Sequence, residues 1–569
     1  MMKIFQKINR HNWILAGNIA VAGCLLIVMA AVMWNQPLLA DDWDFYRAIT
    51  DWQQLRQLIP HPQAYVHFTQ LCLAIFGENT SNARIPGVLA ALSNLILIPI
   101  LIQSFWGDEK HTNQIAILAI WLYTLNPMTA QNMMLLDIDN TLLMPALCIL
   151  IWLWKVTQNH TFGQRIAILG GAFAVTLWVK LPTPVLVMGA FCLYDLLRKE
   201  FKRTLAAFLA TVAGASIFLI TFGVYSAVTG YSFAFLNRTL QKAPTSISSI
   251  GGMLTRFPQG LGVFILWLSF PLTILLGVIT VQTLVRLLSR RLEDQDLLVI
   301  YIVGTAIFYM LVLPPAWGYP KYHTPLLPLV VILVARFLVH KLEGSSRRML
   351  VAVMVLALGV FLYKLVVIDD LFYPLYAVTF ETDTGDLAIR LARGFEVMLG
   401  LIVPFAIALS IGYGLAWRWK QRITLVIVIL LGALAISDMT STTIVQVRAD
   451  YSTRYRYTYH YDDLYQTLDD LRQANVSYIL GVMDVLYNEG WSGEQIYYKY
   501  LCATCDPQTL IDAIYAQRVD ALIWTTKEDN RAPNVSRDPA LLQVLDRCYM
   551  RKTHGVFIVY LRKSNSLCP

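Results

Sequence analysis

Two short segments concentrate aspartates in an otherwise apolar chain. Asp41, Asp42 and Asp44 lie in the stretch ADDWDFYR, and Asp137 and Asp139 lie in LLDIDN with apolar sequence on both sides. Where carboxylates are buried close together, burial and mutual repulsion raise some of their pKa values toward neutral. Such a carboxylate can serve as a general base. A lone aspartate would instead indicate an ordinary solvated loop, but each segment holds at least two.

A metal site is the competing interpretation of the same aspartates. Both segments contain Asp-x-Asp, at Asp42 with Asp44 and at Asp137 with Asp139. Carboxylate oxygens are the hard ligands that Mg²⁺ and Mn²⁺ prefer. The sequence requires no cofactor, and a divalent cation on these aspartates stays the alternative to base chemistry.

Four cationic or ionisable side chains could complement these carboxylates. Arg84 lies in SNARIPG, Lys180 in WVKLPTP, and Lys321 and His323 in PKYHTPLLP. Snorkelling toward the membrane surface would explain Arg84 alone, whereas Lys180 is bracketed by apolar residues and two prolines. A base for an acceptor and positive charge for a departing phosphate are what transfer from a phospholipid-linked sugar requires.

The composition identifies the environment in which these groups must be positioned. Of 569 residues, 57% are apolar and 14% are charged, against about 25% charged in soluble chains. The net charge of +8 comes from Lys and Arg in short runs between apolar segments, and not from one basic face. A bilayer is therefore the expected solvent, and a nucleic-acid partner is excluded.

Apolar runs predict about thirteen transmembrane helices. A helix needs about 20 apolar residues to cross about 30 Å of hydrocarbon. The predicted spans lie near 13–34, 86–106, 114–132, 140–155, 165–181, 183–197, 204–228, 261–285, 297–314, 324–339, 349–368, 396–417 and 423–440. The first run is longer than the apolar region of a signal peptide, so we interpret it as an uncleaved span.

The charges of the loops predict the orientation. Positive loops alternate with acidic ones, which indicates a cytoplasmic N-terminus and places all the aspartates above on the opposite side. Residues 1–440 would then form the transmembrane domain and residues 441–569 a small extracytoplasmic α/β domain. Its predicted elements are a helix at Leu464 to Ala474 and strands at Val476 to Val482, Val519 to Trp524 and Gly555 to Leu561.

Two further patterns belong to the predicted outer face. Cys502, Cys505, Cys548 and Cys568 all lie in the terminal domain, where an even number of cysteines in an oxidising compartment predicts two disulfides. A redox or zinc motif is the alternative for the Cys-x-x-Cys pair. In the first outside loop, apolar residues at spacings of three and four predict an interfacial amphipathic helix; they are Phe45, Ile49, Trp52, Leu55 and Ile59.

Several of these blocks, taken in order, resemble one family. Asp41, Asp42 and Tyr46 are similar to its Asp-Glu and Tyr after the first span, and His61 begins a block similar to its His-Pro-Pro, with Gln63 in place of the second proline. The stretch LAIFGENTSNARIPGVL is similar to its entry into the second span. Lys180 resembles the lysine of its Lys-Gly-Pro block, and KYHTPLLP resembles its Arg-Tyr-x-x-Pro block. The departures are Leu181 for glycine and Lys321 for arginine.

The chain thus resembles the membrane-embedded GT-C glycosyltransferases that include protein O-mannosyltransferases and the bacterial aminoarabinose transferase acting on lipid A. The resemblance implies an inverting transfer of a single sugar from a polyprenyl phosphate to a glycan, lipid or protein acceptor, at the outer face of a bacterial inner membrane. It implies catalytic roles for Asp41, Asp42, Asp137 and Asp139. Donor-phosphate binding would fall to Arg84, Lys180, Lys321 and His323, supported by Tyr46, His61 and Tyr322.

Two other functions share the multi-spanning architecture. A transporter or flippase typically shows paired repeats and charges near the bilayer midplane, whereas here the charges collect at one face. An oligosaccharide polymerase or ligase would use the same outer-face chemistry with a larger donor. The identities of the sugar and of the acceptor do not follow from the sequence.

Overall fold

The structure, a computed structural model, has two compact units, and the chain passes from the first to the second after residue 448. The described residues are 10–34, 45–46, 48–51, 61–231, 250–312, 320–343, 346–380, 387–419, 422–447, 461–476, 479–481, 495–497, 506–517, 519–525, 533–555 and 557–563. The two units are described separately below.

The first unit is built of helices that follow the apolar runs of the sequence. They are α1 (Arg10–Met33), α2 (Ala64–Phe76), α3 (Ile85–Trp106), α4 (Thr112–Thr124), α5 (Pro127–Met134), α6 (Met144–Val156), α7 (Phe162–Val179), α8 (Pro182–Leu197), α9 (Phe201–Thr229), α10 (Ile250–Leu268), α11 (Phe270–Leu288), α12 (Asp294–Val312), α13 (Leu327–Leu342), α14 (Arg347–Phe380), α15 (Leu387–Arg418) and α16 (Ile423–Val447). Among the described residues, ten helical segments are long and apolar enough to cross a bilayer. The protein is a multi-pass membrane protein, as predicted.

The other three predicted spans correspond to α4, α8 and α15. Helices α4 and α8 have 13 and 16 residues, which is short of the about 20 needed to cross the hydrocarbon. Helix α15 has 32 residues, and the apolar part of its described residues is Ile402–Arg418. Hydrophobic runs in the sequence therefore locate all three helices.

Two predicted spans are wrong as continuous helices, because each contains a proline-dependent break. The segment 114–132 divides into α4 and α5 at Asn126, whose side chain accepts a hydrogen bond from the Met128 amide at 2.9 Å and caps α5 ahead of Pro127. The segment 261–285 divides into α10 and α11 at Ser269, which has a φ of 92°. Pro271 has no amide hydrogen to continue the backbone hydrogen bonding of α10, so the new helix α11 begins beside it.

Small residues bring α7 and α9 into close contact. A Cβ atom on Gly214 would lie 2.5 Å from the carbonyl oxygen of Gly170, and one on Gly170 would lie 3.1 Å from the carbonyl oxygen of Ala210. Such contacts let helix backbones approach in a bilayer, where apolar side chains gain little from leaving lipid. This packing fixes α7, and α7 ends where Lys180 begins the turn into α8.

The second unit is a small α/β domain, as predicted. It comprises α17 (Tyr461–Gln473), β1 (Ile479–Gly481), β2 (Gln495–Tyr497), α18 (Pro507–Gln517), β3 (Ala521–Thr525), α19 (Pro533–Ser536), α20 (Pro539–Cys548), β4 (Tyr549–His554) and β5 (Phe557–Arg562). The sheet order is β2-β1-β3-β5-β4, with β1 parallel to β2 and β3, and β5 antiparallel to β3 and β4. Its core includes Leu480, Leu522, Leu545 and Ile558.

Candidate active site

A buried acidic loop follows α5 and enters α6 through a π-helical turn, Asp139–Leu143. Asp137 is 7% exposed and Asp139 is 2% exposed. The Asp137 Oδ1 accepts a hydrogen bond of 3.1 Å from the Asp139 amide, and the Thr141 hydroxyl donates to the Asp137 carbonyl at 2.8 Å. The two carboxylates are therefore held on one short, internally bonded loop. Burial at this level requires that each has a positive partner.

Lys180 is the partner of Asp139. Its Nζ donates to both carboxylate oxygens of Asp139, and the lysine is itself only 3% exposed. Lys180 has an extended backbone at the C-terminal end of α7, immediately before the Leu181–Pro182 start of α8. The helix end and the proline thus direct this lysine out of both helices and into the acidic loop.

Lys321 is the partner of Asp137, and it is the more exposed of the two lysines. Its Nζ lies 3.3 Å from the Asp137 Oδ2, and its side chain is 15% exposed. Lys321 begins the 3₁₀ turn Lys321–Leu326 that leads into α13. Two cation–carboxylate pairs, drawn from three distant parts of the sequence, therefore meet at one place.

Tyr322 links the two pairs. The Nζ atoms of Lys180 and Lys321 lie 4.8 Å and 5.3 Å from the centre of its ring, within the range of a cation–π contact. On α12, Tyr309 stacks on Tyr322 with 5.3 Å between ring centres and bonds the Thr183 hydroxyl at 2.6 Å. Sequence reasoning missed Tyr309, for which the only signal is a tyrosine within an apolar span.

The electrostatic environment distinguishes the two carboxyl groups. Burial raises the pKa of Asp137, but the charges of Lys321 and Lys180 outweigh burial and hold its pKa below the ordinary value. For Asp139, burial outweighs Lys180 and the nearby charge of Asp137 adds to it, which raises the pKa to about 6. His61, when protonated, adds a further positive charge near Asp137. The loop therefore holds one carboxylate that stays ionised at neutral pH and one with an elevated pKa.

Arg84 fixes the helix ends around the acidic loop. It is 2% exposed, and its guanidinium donates to the carbonyl of Met134 at 3.2 Å and to the carbonyl of Trp34. Gly87 allows the start of α3 to lie close to the end of α5, because a Cβ atom on Gly87 would lie 2.9 Å from the carbonyl oxygens of Asn132 and Met133. The contacts described for Arg84 tie the end of α1 to the end of α5, so donor-phosphate binding by Arg84 stays a prediction.

His323 and Tyr46 are placed differently from the paired lysines. The imidazole of His323 is buried against Phe264 and lies 3.3 Å from the carbonyl oxygen of Ala306 through Nε2. Tyr46 has a raised pKa, caused first by burial and then by the charge of Glu78. None of the contacts described for either residue involves the acidic loop, and their proposed roles stay predictions.

Several predicted residues lie outside the described part of the chain. They are Asp41, Asp42, Asp44, Trp52, Leu55, Ile59, Cys502, Cys505 and Cys568. Cys548 is disulfide-bonded. The connectivity of the two predicted bridges stays a prediction. Within the described residues, no group of three or more His, Cys, Asp or Glu side chains could hold a metal ion. A cation on Asp42, Asp44, Asp137 and Asp139 also stays a prediction.

One family model matches part of the chain. Residues 60–226 match the model described as dolichyl-phosphate-mannose-protein mannosyltransferase. This range contains Arg84, Asp137, Asp139 and Lys180, but it ends before Lys321. A search of curated proteins finds no match. The family similarity therefore covers the acidic loop and one of its two lysines.

The fold is shared with solved structures over the whole chain. The crystal structure of ArnT from Cupriavidus metallidurans bound to undecaprenyl phosphate has 14% identity and a TM-score of 0.56, with 98% of this chain and 99% of that chain covered. The apo structure of the same protein has 15% identity and a TM-score of 0.55, with 96% and 97% covered. At this identity the similarity shows the fold. Residues 60–226 thus resemble a mannosyltransferase family, and the chain as a whole has the membrane-embedded GT-C fold of ArnT.

Proposed function

We propose that this protein is an inverting glycosyltransferase that moves a single sugar from a polyprenyl phosphate to an acceptor at the outer face of a membrane. The observation that carries the proposal is the pair of buried lysine–aspartate contacts, Lys180 with Asp139 and Lys321 with Asp137. The family match over residues 60–226 and the fold shared with ArnT, whose structure is bound to undecaprenyl phosphate, support it.

The two lysines have different roles in this proposal. Lys321 is the more exposed cation and has the longer contact, 3.3 Å, to its aspartate, so it is the group that meets the phosphate of the donor. Lys180 is committed to Asp139 on both oxygens and holds the loop in place. A positive charge placed where the phosphate leaves stabilises the charge that develops in the transition state.

The reaction requires one proton acceptor and one leaving group. An acceptor hydroxyl oxygen attacks C1 of the sugar while the bond from C1 to the phosphate oxygen breaks, which inverts the configuration at C1. The hydroxyl proton passes to a carboxylate, and polyprenyl phosphate departs with the bonding electron pair. Asp41 or Asp42 is the proposed base, and the acidic loop orients the reacting groups.

The direct test is transfer by the purified protein in proteoliposomes. Undecaprenyl phosphate carrying radiolabelled mannose, glucose, galactose or aminoarabinose is offered with envelope extract as the acceptor source. The expected result is labelled product from one donor. Product mass distinguishes a single sugar from an oligosaccharide, and the anomeric configuration by NMR distinguishes inversion from retention. No incorporation from any donor, together with no binding of undecaprenyl phosphate, would overturn the proposal.

Lys321→Gln tests the proposed phosphate contact. Loss of one charge-assisted hydrogen bond to phosphate costs about 1.5–3 kcal/mol, so undecaprenyl phosphate should bind about 10- to 150-fold more weakly. The matched control is Lys110→Gln, which removes the same charge from an exposed lysine on the loop between α3 and α4. Unchanged binding in the Lys321 variant, or equal weakening in both, would contradict this role.

The proposed orientation follows from the loop charges, with the N-terminus in the cytoplasm of a bacterial cell and residues 441–569 on the other side of the inner membrane. A cysteine introduced at Lys110 is expected to react with a membrane-impermeant thiol reagent only after the cells are opened. Labelling in intact cells would show that the orientation is opposite to the proposed one, and it would not bear on the proposed transfer reaction.

A further inference from the structure

A cavity of about 180 Å³ lies at the far end of the helix that begins at the acidic site. Lys321 and Tyr322 lie immediately before α13, whereas the cavity is lined by residues from Leu333 to Lys341 near its end. With a rise of about 1.5 Å per residue, the lining residues of α13 lie between about 9 Å (Leu333) and about 20 Å (Lys341) along the helix from Leu327, and none of them belongs to the acidic site. The cavity is therefore distinct from the proposed active site.

Basic side chains line this cavity. Arg286 comes from the end of α11, and Arg336, His340 and Lys341 come from the last two turns of α13. The amides of Gln282 and Gln295 complete its polar lining, and no carboxylate is among the lining residues. A wall that offers guanidinium, ammonium and amide donors is suited to a phosphate group.

Carboxylates behind the wall hold the two arginines in place. Arg286 donates to both oxygens of Asp296, which is 0% exposed, and Arg336 donates to Glu109 at 2.7 Å and to the Gln295 side chain. These contacts leave Arg286 with no partner on Nη1 among the described residues. The guanidinium groups are thus positioned in advance, so ordering them on a ligand costs little entropy.

Lys341 supplies charge that is not balanced by an ion pair. It is exposed, its Nζ lies 5.8 Å from the centre of the Phe337 ring, and no described carboxylate pairs with it. The exposed Arg290 and Arg291 lie in the loop that follows α11. This end of the helix bundle therefore keeps exposed positive charge, although Arg286 and Arg336 are paired with carboxylates.

The deeper lining of the cavity is apolar. Ile279 and Leu333 lie about two turns further into α11 and α13 than Arg286 and Lys341, and Phe337 lies between the two levels. A ligand with a charged head and a hydrocarbon chain satisfies both levels. Basic pockets between membrane helices at the headgroup level bind anionic lipids in this manner.

We propose that this cavity binds a phosphate group carried by an anionic lipid, and that the bound phosphate bridges the ends of α11 and α13. The proposal does not depend on the transfer reaction. Free inorganic phosphate shares the same chemistry, and the experiment below separates the two sources.

The test measures lipid binding to the full-length protein in detergent, by native mass spectrometry. Phosphatidylglycerol is titrated against phosphatidylcholine, whose own choline neutralises its phosphate, and inorganic phosphate is titrated separately. The variants are Lys341→Gln, which removes a cation, and Gln282→Glu, which adds a carboxylate to the wall. Neither side chain has a described hydrogen bond or ion pair, so both variants should fold. One Lys or Arg near a membrane surface changes anionic lipid affinity by about fivefold.

Lys202→Gln is the matched control, because Lys202 is an exposed lysine in the first turn of α9 and does not line the cavity. We expect phosphatidylglycerol to bind wild type and Lys202→Gln equally, and to bind each cavity variant about fivefold more weakly. The same pattern with inorganic phosphate, without a lipid preference, would support the phosphate site and assign it to the free ion. Equal weakening in Lys202→Gln, or no change in either cavity variant, would overturn the proposal.

Discussion

Lys180→Met removes the only described donor to a buried carboxylate. Asp139 is 2% exposed, both of its oxygens accept from the Lys180 ammonium, and no other described residue donates to them. Methionine preserves most of the side-chain volume of Lys180, but it leaves the buried Asp139 carboxylate without its hydrogen-bonded cation. Removing one partner of a buried ion pair costs about 3–5 kcal/mol, a large part of the about 5–15 kcal/mol by which a protein is typically stable.

The double variant Lys180→Met/Asp139→Leu separates charge pairing from packing. Replacing both partners of a buried ion pair by apolar side chains is often neutral or stabilising, so the second substitution should restore most of the unfolding free energy. Denaturant titration of wild type, both single variants and the double variant in one detergent measures the coupling energy. Activity should stay low in the double variant, because the site has lost one of its two carboxylates and the lysine paired with it.

Lys321→Met is the internal comparison. Asp137 keeps the hydrogen bond from the Asp139 amide, its side chain is 10% exposed, and its contact to Lys321 is 3.3 Å. We therefore expect a stability loss of about 1 kcal/mol, with the larger effect on undecaprenyl phosphate binding. The reasoning would be refuted if Lys180→Met unfolded no more easily than Lys321→Met, or if the double variant were as unstable as Lys180→Met alone.

Two further predictions concern packing and pH. Gly87→Ala should destabilise the protein by about 1–3 kcal/mol, since the new Cβ would lie 2.9 Å from backbone carbonyl oxygens of α5. Gly171→Ala is the control and should not destabilise the protein, because its new Cβ would have no neighbouring atom within 4 Å. Equal thermal stability of the two variants would contradict this prediction. In the second unit, burial raises the pKa of Asp470, but hydrogen bonds from Lys552 and His554 outweigh it and lower the pKa. The stabilisation is therefore present above the ordinary aspartate pKa of about 4 and is lost as pH falls through the lowered value. Hydrogen exchange of β4 and β5 in the full chain, corrected for the intrinsic exchange rate at each pH, measures this stability. In Asp470→Asn the loss of stability at low pH should be smaller, and a pH profile identical to that of wild type would contradict the prediction.

Helix positions were largely predictable from the sequence, and helix breaks were not. The apolar runs locate α3, α9 and α16 because hydrophobic length is a local property. The breaks at Asn126 and Ser269 depend on prolines that an apolar average counts as ordinary residues, although Asn126–Pro127 is a recognisable cap. In the second unit, the predicted strands correspond to β1, β3 and β5, whereas β2 and β4 were missed.

The site was predicted as a set of residue types and not as a set of contacts. Asp137, Asp139, Lys180 and Lys321 could be selected because charges at the ends of apolar segments are costly and need partners. Which lysine pairs with which aspartate could not be inferred, since each choice satisfies the same charge balance. The described contacts of Arg84 with backbone carbonyls could not be inferred from its motif either, and its phosphate role stays a prediction.

The sequence by itself determined that the chain lies in a membrane, where its apolar segments run, and that its aspartates and several cations collect at their ends. These properties follow from composition and local spacing. The tertiary structure decided that Lys180 bonds Asp139, that Lys321 contacts Asp137, and that Tyr322 lies between them. The reason is physical: transfer into lipid is governed by each segment's own side chains, whereas charge pairing depends on the packing of helices that are distant in the chain.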